Sequence, residues 1–442
     1  MSTGHKTETV NARLVSKKQI HTGQNTGRHY LTGLDIFGGL VTVPLFYLYP
    51  QGLDVALVER SLASTLKKYP LVAGRMKKDS DGYSYIDADD AGVPFEVYAA
   101  EGPLPAYGPD YPSQNDVRQY YQRVFPWTIY KPDTPVFSVR IYRFADGGAI
   151  LSVAPVHTLI DGSSLWMFIQ DWSRAALGQG EPDDIVERDY LLNLSKQCVG
   201  RPFREDCVGA YGIWQRLGLY ARLALEAASN KLDIHRIPAS FLASLRTQFL
   251  AEYPDGPRVS DVDLLTAQCL KVIAGLRNYR NDLCVGVVVD FRFKRDLEIP
   301  RRLFGVALGQ EERQFSAQQL ADSSVAALAL AIRNPVVRQT SEDWLGYLGF
   351  MESRRQQKQI ASVIPRSVIR GLEGGFMQNN YCALPVYDAD LGTGKPSWYT
   401  PVAAPFRMVK IVPTAEADGS VDLHLILNRK ELRAFRELFS GL

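Results

Sequence analysis

The chain has 442 residues, of which 46% are apolar, 11% aromatic and 22% charged, as in an ordinary globular protein long enough for two or three domains. Its 50 basic and 48 acidic residues give a net charge of +2, which argues against a dedicated nucleic-acid binder but leaves room for one local basic patch. The longest uncharged stretch, residues 36–53, is broken by glycine and proline, so no membrane span is expected.

The cysteine pattern indicates a reducing compartment. The five cysteines are odd in number and contain no CxxC pair, so free thiols and no zinc site are expected: Cys198, Cys207, Cys269, Cys284 and Cys382. The N-terminus is polar and basic, with no apolar segment of the kind a secretory signal needs. The sequence therefore predicts a cytoplasmic protein without a metal.

The first half of the chain is predicted to mix strands and helices. The clearest element is an amphipathic helix in residues 53–69, where Val58, Leu62 and Leu66 recur at helical spacing. The other predicted elements are a loop at 31–39, a strand at 40–49, paired strands around the turn at 81–82, a short helix near 116–123, an alternating strand at 136–144 and an apolar strand at 149–156.

The second half repeats this style after a polar interval. No helical or strand period holds in residues 191–208, and a probable helix follows at 214–228. This predicts an N-terminal domain at 1–190, a crossover at 191–230 and a C-terminal domain at 231–442. Its expected elements are a helix capped by Ser260 and Asp263, a buried strand at 284–293, a strand at 421–427 with His424 on its outward phase, and a last helix capped by Asn428 and Glu431.

The pattern H-x-x-x-D-G follows the apolar strand, as His157, Asp161 and Gly162. A neutral imidazole can take a proton from a hydroxyl or amine as that group attacks a carbonyl, so His157 is a candidate general base. Asp161 could orient this ring, or turn away and pin the loop through an arginine, and Gly162 would supply a tight bend or a close backbone approach. By itself, a histidine at the end of an apolar strand is more often a structural residue than a general base.

Several other chemistries are excluded by their missing motifs. There is no G-x-S-x-G, H-E-x-x-H, or G-x-G-x-x-G after a strand. Residues 392–395, Gly-Thr-Gly-Lys, do not form a phosphate loop, because Ala389 stands at the position of its first glycine and Pro396 follows the lysine. The remaining histidines form no cluster with metal-ligand spacing.

Together with the H-x-x-x-D-G loop, residues 381–401 resemble the BAHD family of acyl-CoA-dependent acyltransferases. The family's second motif, DFGWG followed by a basic residue and proline, reads here as DLGTGKP, residues 390–396. Segments that resemble the family elsewhere occur in the same order at 31–35, 69–82, 260–271 and 287–295, and LPVYDAD is closest in style to the hydroxycinnamoyl transferases.

The resemblance implies an α/β fold of two pseudo-equivalent domains like chloramphenicol acetyltransferase, each a mixed sheet with helices, and an active-site channel between them. His157 would deprotonate a hydroxyl or amine of a small specialised-metabolite acceptor, which would attack the acyl-CoA thioester in a ternary complex without an acyl-enzyme. Acyl-CoA would be a co-substrate, no cofactor would be permanently bound, and the protein would be a monomer.

The resemblance also assigns roles to individual residues. Asp161 is expected to pair with Arg292, whose guanidinium could hold the carboxylate bidentately. The resemblance implies three further assignments: Asp390, Gly392 and Gly394 would hold a loop near the CoA channel; Asn379 and Tyr381 would line the acyl pocket; and Thr393, in the position of the usual tryptophan, would contact substrate. Conceivable CoA contacts are Ser260, Lys271 and Arg295, each also explained as a surface or capping residue.

Two alternatives remain open at this stage. A condensation domain of a peptide synthetase shares the fold and an H-H-x-x-x-D-G motif, but Val156 occupies the first histidine position and the LPVYDADLGTGKP block is foreign to it. A catalytically inactive scaffold on the same fold is the other alternative, and the intact His157 and Gly162 argue against it.

Overall fold

Two six-stranded mixed sheets dominate the computed structural model. The structure describes residues 10–109, 115–180, 183–204, 207–401 and 406–440. We call the part built on the first sheet the N-terminal lobe and the part built on the second sheet the C-terminal lobe.

The N-terminal half alternates strands and helices as the sequence predicts. Its elements are β1 (Ala12–Ile20), β2 (Gly27–Tyr30), α1 (Gly33–Gly38), β3 (Leu45–Tyr49), α2 (Val55–Leu66), β4 (Arg75–Lys78), β5 (Ser84–Ala88), β6 (Val93–Ala100), a 3₁₀ helix (Asn115–Tyr120), β7 (Val139–Arg143), β8 (Ala149–Val153) and α3 (Gly162–Ala176). The amphipathic helix is α2, whose Val58, Leu62 and Leu66 are fully buried. Its first turn is capped by Asp54, which accepts the N–H groups of Ala56 and Leu57.

A linking region and the C-terminal half follow. The linking elements are α4 (Asp189–Gln197), β9 (Val208–Ala210) and α5 (Ile213–Ser229). The remaining elements are β10 (Asn230–Ile237), α6 (Ala239–Glu252), α7 (Asp261–Leu276), β11 (Leu283–Asp290), β12 (Leu308–Phe315), α8 (Ala317–Asp322), α9 (Val325–Arg338), α10 (Ser341–Gln356), β13 (Val363–Pro365), α11 (Arg366–Gly371), β14 (Phe376–Asn380), β15 (Trp398–Pro401), β16 (Met408–Pro413), β17 (Val421–Asn428) and α12 (Arg429–Phe439).

The sheet of the N-terminal lobe has the order β1-β6-β7-β8-β3-β15. Its last strand comes from the other half of the chain, because β15 pairs antiparallel with β3 and Trp398 lies opposite Leu48. Residues 398–401 therefore complete the N-terminal sheet, although they fall inside the predicted C-terminal domain of residues 231–442. The proposed limits at 190 and 231 stay a prediction.

The sheet of the C-terminal lobe has the order β10-β17-β16-β14-β11-β12, with parallel pairing of β16 with β14 and of β14 with β11. Small additional sheets join β2, β5 and β4, and β13 with β9. The predicted α/β architecture of two mixed-sheet domains is confirmed.

Each large sheet buries one face under helices and turns the other towards its partner lobe. In the C-terminal lobe, Val409, Ile411, Leu423 and Leu425 belong to the core under the helices. The facing surfaces form what we call the interlobe cluster, made of Phe46, Leu48, Tyr142, Ile150 and Trp398 from one sheet and Leu232, Ile234, Met377, Met408 and Ile426 from the other. Both faces of these strands are thus buried.

Three local predictions are wrong. The segment read as a loop before β3 contains α1, opened by a capping box in which Thr32 and Asp35 each accept the other's backbone N–H. Residues 189–197 form α4, whose buried face consists of Leu191, Leu192 and Ser195, so a serine interrupts the apolar period. His424 does not point to solvent but is fully buried, because the second face of β17 packs against the other lobe.

Within the described part of the chain, none of the helices combines the length and apolarity that crossing a bilayer requires.

Candidate active site

His157 lies just beyond β8, where the chain turns towards α3. Its backbone N–H donates to the carbonyl oxygen of Val41 at 2.9 Å, which fixes the start of the turn. A Cβ atom built on Gly38 would lie 3.4 Å from His157 Nδ1 and 3.6 Å from the Val306 side chain. The imidazole therefore lies beside Gly38 of the N-terminal half and near Val306 of the C-terminal half. His157 keeps part of its surface exposed.

The two ring nitrogens of His157 have different surroundings. Nδ1 is enclosed and has no hydrogen-bond partner among the described residues. Because the residue is nevertheless partly exposed, Nε2 is the nitrogen that a reactant can reach. The tautomer with the proton on Nδ1 leaves the lone pair of Nε2 free to accept a proton.

Asp161 turns away from His157 and caps α3. Its Oδ1 accepts the N–H of Ser164 at 2.9 Å, and its Oδ2 accepts from Arg292 Nη1 at 2.8 Å and from the N–H of Ala307 at 2.9 Å. Both oxygens are engaged by the loop and by the other half of the chain. Of the two roles open to Asp161, the geometry is that of a pin for the loop.

Arg292 is the centre of this pin. It follows β11 and is fully buried, and it donates to the carbonyl oxygens of Leu303 and Gly305 at 3.0–3.1 Å. The predicted pair with Asp161 is present, but through one nitrogen and one oxygen, whereas both oxygens of Asp290 lie within 3.1 Å of Nη1. The expected bidentate fork on Asp161 is therefore wrong.

Burial and the neighbouring charges shift the pKa values of Arg292 and Asp290. Burial opposes the charge on Arg292, but the two carboxylates of Asp161 and Asp290 outweigh it and hold the pKa of Arg292 above its ordinary value. Burial raises the pKa of Asp290, and the arginine offsets only part of that effect. The ion pair is a fixed element of the fold.

A second buried pair, which the sequence did not reveal, holds the same loop. Asp35 accepts the N–H of Val306 at 3.0 Å and lies 3.2 Å from Arg188 Nη1, and Arg188 donates to the Leu159 carbonyl oxygen at 2.9 Å. The consecutive N–H groups of Val306 and Ala307 thus bind two different carboxylates. The capping-box spacing of Thr32 and Asp35 was the available signal, but it predicts only a helix start.

Gly162 is the first residue of α3, and its φ is not positive. A Cβ atom there would lie 3.5 Å from the Trp166 ring and 3.6 Å from the Leu384 side chain, which are ordinary contacts. The tight bend expected at Gly162 is therefore absent. The residue instead faces a space beside α3, towards Leu384 in the segment after β14, that would admit one methyl carbon at ordinary contact distances.

Asn379 and Tyr381 come together at the lobe junction. Asn379 Nδ2 donates to the Tyr381 hydroxyl at 3.3 Å, and the Tyr381 ring meets Trp166 edge to face at a centroid distance of 5.6 Å. Burial raises the pKa of Tyr381 above its ordinary value. Trp166 lies one helical turn after Gly162, so this aromatic pair adjoins the space beside α3.

The DLGTG segment forms a turn. Asp390 Oδ1 accepts the N–H groups of Gly392 at 2.9 Å and Gly394 at 3.0 Å, and these glycines have φ of +96° and +100°. The turn is anchored to the C-terminal end of α3, where Ser173 Oγ donates to the Asp390 carbonyl oxygen at 2.7 Å. Ser173 follows Asp161 by twelve helical residues, a separation of about 18 Å.

Thr393 is not brought to His157. Its hydroxyl donates to the Gly52 carbonyl oxygen at 2.8 Å, beyond the end of β3 at Tyr49. Tyr49 pairs with Ala149 at the start of β8, whereas His157 follows the other end of that strand. Thr393 therefore lies away from the base, and its assignment to substrate binding stays a prediction.

The three conceivable CoA contacts lie on the C-terminal lobe. Ser260 caps α7 by accepting the N–H of Asp263. Lys271 Nζ donates to three carbonyl oxygens at the end of α8, those of Leu320, Ala321 and Ser323, at 2.7–3.1 Å. Ser260 and Lys271 therefore serve as helix caps, and Arg295 is an exposed residue.

The comparison with protein families decides the identity. The model of the Transferase family matches residues 16–442. The chain belongs to this family, the BAHD acyltransferases. The BAHD chain is an acyl-CoA-dependent acyltransferase, as the resemblance implied.

Named relatives of this BAHD enzyme support the assignment. It is 26% identical over 388 residues to tryptamine hydroxycinnamoyltransferase 2 of Oryza sativa subsp. japonica, covering 86% of each chain. It is 24% identical over 412 residues to hydroxycinnamoyl-CoA:5-hydroxyanthranilate N-hydroxycinnamoyltransferase of Avena sativa, covering 88% of this chain and 86% of the relative. The crystal structure of vinorine synthase matches with a TM-score of 0.71 at 18% identity over 98% of both chains, which shows the shared fold.

Proposed function

We propose that this BAHD enzyme transfers an aromatic acyl group from a CoA thioester to an amine or hydroxyl of a small specialised-metabolite acceptor, with His157 as general base. The observation that carries the proposal is the position of His157, partly exposed between residues of both halves of the chain on a loop pinned by Arg292. The enzyme would act in a passage between the lobes.

The reaction needs no acyl-enzyme. Nε2 of His157 takes the proton of the acceptor as its nitrogen or oxygen attacks the thioester carbonyl, and a tetrahedral oxyanion forms. Collapse of this intermediate breaks the carbon–sulfur bond, and the imidazolium returns the proton to the CoA thiolate. Asp161 and Arg292 would act as positioning residues, since their contacts hold the loop and do not reach the ring nitrogens.

The aromatic side chains that pack beside α3 favour an aromatic acyl group. Trp166 packs edge to face against both Tyr381 and Tyr399, with centroids at 5.6 and 5.4 Å. The hydroxyl of Tyr399 is buried without a hydrogen-bond partner among the described residues, so it could bind a phenolic oxygen. The relatives named as hydroxycinnamoyl transferases agree with this acyl class.

The remaining parts of the proposal follow from the same assignment. Acyl-CoA is the co-substrate, no permanently bound cofactor is required, and Arg295 is the exposed cation we retain as a candidate phosphate contact. The five free cysteines fit a cytoplasmic enzyme. We further propose that it works as a monomer.

The test is release of CoA thiol from p-coumaroyl-CoA with tryptamine, tyramine or 5-hydroxyanthranilate, followed by identification of the product. We expect acceptor-dependent release that falls by at least about 10²-fold in His157→Ala, since a general base contributes typically 10²–10⁴-fold. His21→Ala, at an exposed histidine that binds the Asp90 carbonyl oxygen, is the matched control and should keep full activity. Equal release of CoA by His157→Ala and by the wild type would contradict the role of His157 as general base.

A further inference from the structure

A row of polar side chains crosses the inner face of the C-terminal sheet. Asn379 on β14 lies opposite Lys410 on β16, and Lys410 lies opposite His424 on β17. Met408 and Ile426, two residues from Lys410 and His424 in their strands, belong to the interlobe cluster. Because side chains alternate along a strand, all three polar residues face the other lobe.

The imidazole of His424 is buried, and no described residue hydrogen-bonds to it. The residue is 0% exposed, and neither ring nitrogen has a hydrogen-bond partner among the described residues. Its ring stacks on Trp398 of the opposite lobe, with centroids 6.4 Å apart and planes 9° apart. The indole nitrogen of Trp398 is also buried without a partner in the described chain. Buried polar atoms are nearly always satisfied, so three such atoms at one place indicate a bound group.

Lys410 supplies positive charge to the same place. It is 4% exposed, and burial lowers its pKa to about 7. Burial, with a smaller contribution from Lys410, lowers the pKa of His424 to about 3, so the imidazole is neutral and offers one donor and one acceptor. Asp422 shares this face of β17, but Arg236 Nε holds its carboxylate at 2.6 Å.

The row is continuous with the proposed substrate space. Asn379 donates to Tyr381, Tyr381 packs on Trp166, and Trp166 adjoins Gly162 at the start of α3. A substrate that reaches His157 past this aromatic wall could extend a polar group towards the row.

We propose that Lys410, His424 and Asn379 form a carboxylate-binding site that selects a substrate carrying an anionic group. Lys410 provides the charge, and the N–H groups of His424 and Asn379 provide directed hydrogen bonds to the carboxylate oxygens. The carboxylate can belong to the acceptor or to the acyl chain, because both substrates share the space between the lobes. This inference rests on the proposed function.

The test compares substrates that differ only in the carboxylate. The acceptor pair is 5-hydroxyanthranilate with 4-aminophenol, and the donor pair is malonyl-CoA with acetyl-CoA. We expect the wild type to prefer the anionic member of one pair by about tenfold or more in kcat/KM, mainly through KM, and Lys410→Met to abolish that preference. The pair that responds identifies which substrate carries the carboxylate. Lys430→Met, at an exposed lysine of the same lobe, is the control and should retain the preference.

Calorimetric binding of the same four compounds separates this inference from the proposed function. Turnover without a preference in either pair, or a preference that survives in Lys410→Met, would overturn the carboxylate site and leave the acyltransfer intact. Absence of turnover of p-coumaroyl-CoA with either acceptor would count against the proposed function, and the carboxylate site would then stand or fall on weaker binding of the anionic compound to Lys410→Met than to the wild type. His424→Phe should also weaken the preference for the anionic compound, but by less than Lys410→Met does.

Discussion

Arg292 and Asp161 form a buried ion pair across 131 residues of sequence, with Nη1 2.8 Å from Oδ2 and side-chain exposures of 2% and 0%. Asp161 is the N-cap of α3 and follows His157 by four residues, and Arg292 lies two residues after the end of β11 in the C-terminal lobe. The position of the proposed base therefore depends on a contact between the two halves of the chain.

Removing Arg292 should cost both stability and turnover. Arg292→Ala leaves Asp161 and Asp290 buried without their counter-ion, which typically costs about 3–5 kcal/mol. We expect this loss in chemical denaturation, and at least about a tenfold fall in CoA release at a temperature where the variant is folded. Asp161→Asn, which keeps an oxygen for the Ser164 N–H, should show a smaller loss of both.

An exposed ion pair provides the control for this prediction. Arg201 pairs with Glu342 at 2.8 Å, with side-chain exposures of 39% and 72%, so solvent screens the interaction. Arg201→Ala should leave the midpoint of chemical denaturation essentially unchanged. Wild-type kinetics in folded Arg292→Ala would contradict the positioning role.

Gly392 should matter for folding and not for chemistry. Its φ is +96°, which strains any residue with a Cβ atom, and that atom would lie 2.3 Å from Leu57 Cδ2 on α2, so Gly392→Ala must also displace the Leu57 side chain. We expect a loss of about 1–3 kcal/mol in thermal or chemical unfolding. The kcat of the folded fraction should stay within about twofold, because the turn is anchored far along α3 from the base.

Gly371 is the matched glycine, because it lies in α11, its φ is not positive and a Cβ atom there would meet no atom within 4 Å. Gly371→Ala should be neutral or slightly stabilising. A large fall in kcat for Gly392→Ala at unchanged stability would mean that the turn contributes to the reaction.

The sequence was informative wherever local chemistry controls structure. The apolar spacing of Val58, Leu62 and Leu66 predicted α2, and the caps at Ser260 and Asn428 predicted α7 and α12, because period and capping act within a few residues. Arg292 was also predicted as the partner of Asp161, because the family resemblance implies that this carboxylate pairs with an arginine.

Long-range relationships could not be predicted in this way. Nothing in residues 398–401 indicates that they pair with β3, about 350 residues earlier, because strand register depends on the assembled fold. His424 was assigned to solvent because strand alternation marks a second face without saying whether another lobe covers it. Thr393 was placed by motif analogy beside the substrate, and the turn geometry that moves it away depends on Gly52 and α3.

Gly162 offers a test of the space beside α3. Because a Cβ atom would make only ordinary contacts with Trp166 and Leu384, Gly162→Ala should fold with stability within about 1 kcal/mol of the wild type. If substrate passes through this space, the added methyl group should raise KM for bulky aromatic acyl-CoA more than for acetyl-CoA. An equal change for both donors would place the passage elsewhere, and strong destabilisation would restore a bending role for the glycine.

Lys410 should make stability depend on pH in the alkaline range. Its folded pKa is about 7 against an ordinary value of 10.5, so between these limits the unfolded chain binds more protons than the folded protein. The free energy of unfolding contributed by this residue therefore rises as the pH increases from about 7 to about 10.5. Lys410→Met removes the titrating amine at similar volume, so the variant should lack this pH dependence, and its stability relative to the wild type should be greatest at pH 7.

The measurement is urea unfolding of the wild type and Lys410→Met at several pH values from 7 to 10.5. The gain in the variant should be largest at pH 7 and should vanish near the upper limit, because the wild-type amine is then neutral in both states. Lys430→Met, at an exposed position, should show no such trend. A difference between Lys410→Met and the wild type that stays constant with pH would mean that the amine keeps its ordinary pKa in the fold, and the cost of burying Lys410 would not be electrostatic.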